Sequence, residues 1–137
     1  MLKLFFIEDQ PDTIEPVLNL IKNKSDMQFY VMGFADAECR ILSDHPDIVI
    51  LDLLDGGSSA EPEEEGLKTR DFIWNQHFCP LIIYSARNDI FDEAFQPHPL
   101  IKSIQKGAGS PPLVLKALQD LRQHVAMLNE AEEHVRK

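Results

Sequence analysis

A chain of 137 residues suits one globular domain, because dividing it would leave two halves each too small to bury a sound core. The 13 Lys and Arg face 23 Asp and Glu, and the formal net charge of -10 counts against direct binding to nucleic acid or anionic lipid by this chain. The longest apolar runs fall far short of the ~18 residues a membrane helix needs and follow no basic leader, so a cytoplasmic protein without membrane attachment is expected.

Leu2 to Ile7 (LKLFFI) is a short apolar run that stops at Glu8-Asp9, the pattern of a buried strand ending at a polar edge. Ile14, Val17, Leu18 and Ile21 then recur at helical spacing, with Pro11 and Pro16 near the start, where proline is best tolerated. Gln28 to Met32 reads as a second strand. A helix with Phe34, Ala37 and Ile41 on one face follows and ends before His45-Pro46. Asp47 to Leu53 (DIVILDL) is a continuous apolar run with Asp52 near its end, as expected of a strand covered on both faces.

Leu54 to Glu65 is rich in Gly, Ser, Pro and Glu and is expected to be a loop, with a third helix over Gly66 to Gln76. Pro80 to Ser85 is a fourth strand, Asn88 to Phe95 a short fourth helix, and Leu100 to Gln105 a fifth strand. Beyond Lys106 and a Gly-rich turn, Ser110 is placed to cap a last helix carrying Pro111 and Pro112 in its first turn. Five strands alternating with five helices imply an α/β fold, a parallel sheet with helices on both faces.

Ligands of such sheets bind at the carboxyl ends of the strands, where this chain places Glu8, Asp9, Asp52, Ser85 and Lys106. Converging carboxylates repel unless a cation neutralises them, and an all-oxygen set suits Mg2+. Asp52 is then a candidate nucleophile toward a phosphoryl group, with the Lys106 ammonium and the Ser85 hydroxyl available to its oxygens. Taken singly, an acidic pair after a strand is as often a turn, and Ser or Lys at a strand end is ordinary; the joint occurrence carries the argument. Cys39 and Cys79 have no CxxC partner, and His45, His77, His98, His124 and His134 show no metal-ligand spacing. No phosphate-binding GxxxxGK[ST] loop occurs.

In FFIEDQP, DIVILDL, IIYSA and SIQKG, across nearly the whole chain, the sequence resembles the receiver domains of bacterial two-component response regulators. The resemblance implies a single-domain three-layer α/β/α sandwich of the flavodoxin-like type over residues 1–137, with strand order 2-1-3-4-5. It implies that Asp52 is the phosphoacceptor, that Glu8, Asp9, Asp52 and the backbone carbonyl of Leu54 hold Mg2+, and that Ser85 and Lys106 contact the phosphoryl group. The implied function is a regulatory switch rather than an enzyme acting on other molecules, phosphorylated by a sensor histidine kinase or a histidine phosphotransfer protein. The alternative is a degenerate receiver acting as a phosphorylation-independent interaction module.

Three departures from the pattern set further expectations. The residue three before Lys106 is Ser103 rather than an aromatic, and Gly107 replaces the usual proline, so a trans 106–107 bond is expected. The apolar Leu54, two residues after Asp52, gives attacking water no hydrogen bond and argues for slow dephosphorylation. It also replaces the second acid of aspartyl phosphohydrolases. Val114, Leu118, Leu121, Val125, Leu128 and Val135 follow near-heptad spacing, so residues 126–137 are expected to extend toward a dimer partner or an output domain. A homodimer is expected through that helix or through the face formed by the fourth helix, fifth strand and last helix.

Overall fold

The computed structural model describes residues 2–52, 63–85 and 98–136. Strands β1 (Leu2–Ile7), β2 (Met27–Met32), β3 (Ile48–Leu51), β4 (Leu81–Ser85) and β5 (Ile101–Gln105) form one sheet. Its order is β2-β1-β3-β4-β5, and every pairing is parallel. The expected order and sheet direction are those observed.

The alternation of side chains along each strand divides the core in two. Leu2, Leu4 and Phe6 of β1, Ile48 and Ile50 of β3, and Ile82 and Tyr84 of β4 face one layer. That layer holds α1 (Glu15–Ile21) and the last helix, α4 (Ser110–Arg136), which contribute Val17, Ile21, Val114, Ala117, Leu118, Leu121 and Val125. Phe5, Ile7, Val49, Leu51, Leu81 and Ile83 face the other layer, made by α2 (Phe34–Asp44) and α3 (Glu63–Gln76) through Ala37, Ile41 and Ile73. The central strands are buried on both faces, which is why their sequences are apolar without alternation. The edge strands β2 and β5 keep half-buried and exposed positions.

The elements differ from their sequence-based limits in instructive ways. The first helical segment opens with a 3-10 turn at Pro11–Ile14 before α1 begins, because the two prolines withhold backbone donors there. Helix α3 begins at Glu63, three residues before the expected Gly66, so Glu63, Glu64 and Glu65 belong to its first turn rather than to the loop. Glutamate is a good helix former and its charge is favoured at a helix N-terminus. Helix α2 ends with His45 in the left-handed conformation at φ 50°, its N–H bonded to the Ile41 carbonyl, and Pro46 prevents continuation. The expected fourth helix at Asn88 to Phe95, and Leu54 with the loop around it, lie outside the described residues.

Helix α4 runs for 27 residues, about 40 Å at 1.5 Å per residue. Its buried stripe of Val114, Ala117, Leu118, Leu121 and Val125 covers the sheet, whereas Met127 is 66% exposed. No described helix is long and apolar enough to cross a membrane. Leu118→Ala is expected to cost about 2–5 kcal/mol of unfolding free energy in denaturant titrations. Met127→Ala should stay within about 0.5 kcal/mol of the parent, and a larger loss would show that its position is covered in solution.

Candidate functional site

The chain leaves β1, forms β2 on one side, and crosses to β3 on the other, so the crevice between the ends of β1 and β3 is a topological switch point. Glu8 follows β1 and Asp52 follows β3. The Glu8 N–H bonds to the Met32 carbonyl at 2.8 Å and the Asp52 N–H to the Ile7 carbonyl at 3.1 Å, which carries sheet order one residue past each strand. Both acids are buried, with 5% and 7% exposure.

Lys106, one residue beyond β5, reaches across to both. Its Nζ lies 2.7 Å from Glu8 Oε2 and 3.1 Å from Asp52 Oδ2, and donates to Thr13 Oγ1 at 3.0 Å. An ammonium has three protons, and these three acceptors use them all. The other Glu8 oxygen accepts the Gln10 N–H at 3.0 Å. Burial and a hydrogen bond to the Asp52 carboxylate push the Glu8 carboxyl up to about 7, against the opposing pull of Lys106. Two buried carboxylates sharing one ammonium form an all-oxygen donor set still short of positive charge, the setting in which a hard divalent cation is favoured.

The turn that carries Lys106 is fixed from below. Its backbone N–H bonds to the Ser85 carbonyl at 2.9 Å, and Nζ lies 5.7 Å from the centre of the Tyr84 ring, within cation–π range. Ser110 Oγ donates to the Gly107 carbonyl at 2.7 Å and accepts the Gly107 N–H at 3.1 Å. Its single proton being used, the Tyr84 hydroxyl 2.7 Å away is the donor in their mutual bond. Ser110 therefore stands as the first residue of α4 and ties back to the Lys106-Gly107 turn, instead of capping forward as the sequence suggested. The described residues contain no cis peptide bond, so 106–107 is trans as expected.

No family model and no curated protein sequence matches this chain. Solved structures do. The signal receiver domain of a LuxO repressor protein from Vibrio parahaemolyticus superposes with a TM-score of 0.68 at 17% identity, over 95% of this chain and 96% of that one. The BeF3-activated N-terminal receiver domain of RstA from Klebsiella pneumoniae gives 0.64 at 23% identity, over 88% and 98%. The anti-anti-sigma factor PhyR from Bartonella quintana gives 0.66 at 18%, over 93% of this chain but 50% of that longer one. The chain has the receiver-domain fold.

On this receiver fold the structure brings Glu8, Asp52 and Lys106 into contact and places buried Ser85 at the end of β4 beside the Lys106 backbone. Asp9 is exposed, and its Oδ1 accepts the Phe34 N–H at 3.2 Å, which caps α2 where Gly33 has no side chain to do so. Among the described residues, no group of three or more His, Cys, Asp or Glu is arranged to hold a metal ion. Ser103 is exposed on β5. The aromatic side chain near the lysine is Tyr84, which sequence reading missed; its place next to Ser85 on a strand-end run was the available signal. Thr13 gave no signal, because only the 3-10 turn brings it under Lys106.

Two results should follow. Between pH 4.5 and about 7 the folded state holds a Glu8 proton that the unfolded chain has released, so this group's contribution to stability falls as pH rises through that window. Glu8→Gln cannot titrate; in metal-free buffer its stability should improve relative to the parent by more than about 1 kcal/mol from the bottom to the top of the window, read by urea unfolding. A Cβ on residue 33 would sit 2.6 Å from Asp9 Oδ1. Gly33→Ala should therefore swing Asp9 off Phe34, cost about 1 kcal/mol through the lost cap, and add little to Asp9→Ala in the double variant.

Proposed function

We propose that this chain is a phosphoacceptor signalling switch in which Asp52 takes a phosphoryl group, with Mg2+, from a histidine kinase or a histidine phosphotransfer protein. The contact of Lys106 Nζ with both Glu8 and Asp52, at the switch point of a receiver fold, carries the reading. Burying two acids side by side is costly, which makes a functional reason for the pair the better account.

In this reading an Asp52 carboxylate oxygen attacks the phosphorus atom of a phosphohistidine or small acyl phosphate, and the donor departs with the bonding electron pair. Lys106 would shift its ammonium onto a phosphoryl oxygen, and Ser85 offers a hydroxyl donor at the end of β4. Mg2+, held by Glu8, Asp52 and, after leaving Phe34, Asp9, with the Leu54 carbonyl as a further ligand, would screen the incoming negative charge. The chain would act on its own Asp52 and turn over no other substrate. Its output would be a population shift between two conformations read by a partner protein or by a second copy of the chain.

Intact mass after incubation with acetyl phosphate and Mg2+ tests this directly. The expected result is one phosphoryl adduct, lost on removing Mg2+ and absent in Asp52→Ala. With the apolar Leu54 two residues after Asp52 in the sequence, the adduct should outlast the scale of seconds. The RstA domain is described as BeF3-activated, so beryllofluoride with Mg2+ should shift the Lys106 and Ser85 amide resonances here as well. No adduct together with no Mg2+ binding would replace this reading with that of a phosphorylation-independent interaction module.

A further inference from the structure

The end of the sheet opposite Asp52 holds a pair of histidines far apart in sequence. His45 follows α2 and His77 follows α3, and their side chains meet with His45 Nδ1 3.1 Å from His77 Nε2. We propose that His45 and His77 form a two-imidazole binding site for a divalent transition-metal ion, zinc or copper in type, that clips the ends of α2 and α3 together.

The ring geometry carries the proposal. The ring centroids lie 4.8 Å apart and the two nitrogens 3.1 Å apart. That nitrogen separation is short enough for one ion at the zinc–imidazole bond length of about 2.0–2.1 Å to touch both. Without metal the two nitrogens share a ring hydrogen bond whose donor is set by the tautomers, and a bound ion would take the place of that proton. Imidazole suits zinc, copper and nickel over magnesium, so this site and the carboxylate site select different ions.

The surroundings favour a cation independently of that geometry. Each histidine immediately follows the last residue of its helix, Asp44 in α2 and Gln76 in α3, at the partly negative end of the helix dipole, where the Asp44 carbonyl already accepts the Lys3 ammonium at 2.8 Å. His45 is exposed and its left-handed backbone turns it off the helix axis, leaving room for water at the remaining coordination positions. Nearby acids are engaged elsewhere: Asp44 pairs with Arg40 at 2.8 Å, and Asp47 Oδ2 accepts the Lys3 N–H at 2.8 Å. Cys79 is buried and its thiol pushed up to about 12 by that burial, so the site is made of imidazoles rather than thiolate.

Titration of the full chain with Zn2+ in the presence of excess Mg2+, followed by calorimetry and by the histidine ring proton resonances, tests the site. One Zn2+ should bind, shift the His45 and His77 resonances together, raise the melting temperature, and be released by a chelator. His77→Gln and His45→Asn, the latter chosen because Asn tolerates the left-handed backbone, should each weaken binding about tenfold or more, while Asp52→Asn leaves it unchanged. Zinc affinity equal to the parent in both histidine variants would assign binding to other side chains and overturn the proposal. So would no binding up to millimolar Zn2+, or resonance shifts confined to one ring.

Discussion

The carboxyl end of the sheet is organised around one ammonium serving two buried carboxylates. Glu8 and Asp52 stand at neighbouring strand ends because β1 and β3 are adjacent in the sheet, and mutual repulsion at that spacing would open the crevice between them. Lys106 closes it from β5, two strands away, with Thr13 taking its third proton. Residues from three separate segments are thus held by one charged group. The Glu8 carboxyl stays raised by its own burial and by the neighbouring Asp52 despite the pull of Lys106.

The strands were legible because burial on both faces leaves a mark that composition alone reveals. LKLFFI, IVIL and LIIYS contain no polar residue that a two-sided strand could not accommodate at its edge or end. Asp52 was legible for the complementary reason: a carboxylate closing such a run is costly unless something pairs with it. Helix limits were read less well. Glu63 to Glu65 look like solvated loop in sequence, yet their helix propensity and the N-terminal dipole draw them into α3.

Side-chain roles that depend on a second element were the least readable. Asp9 belonged, by spacing, with Glu8. In the fold it reaches across to Phe34, because Gly33 leaves both the space and an uncapped helix N-terminus. Ser110 had the residue type and position of a forward cap, but the Gly107 turn and the Tyr84 hydroxyl lie behind it and claim its hydroxyl first. The His45–His77 contact has no linear signal, since 32 residues and a whole strand separate its members.

Tyr84 joins the turn that carries the lysine to the last helix. Its ring lies under the Lys106 ammonium, its hydroxyl is bonded to the first residue of α4, and its body packs among Val114, Ala117 and Leu118 in the buried layer. A buried side chain with its one donor engaged cannot rotate freely, so Tyr84 acts as a fixed strut. Contacts from the Lys106 ammonium to the first residue of α4 thus pass through Tyr84 of β4.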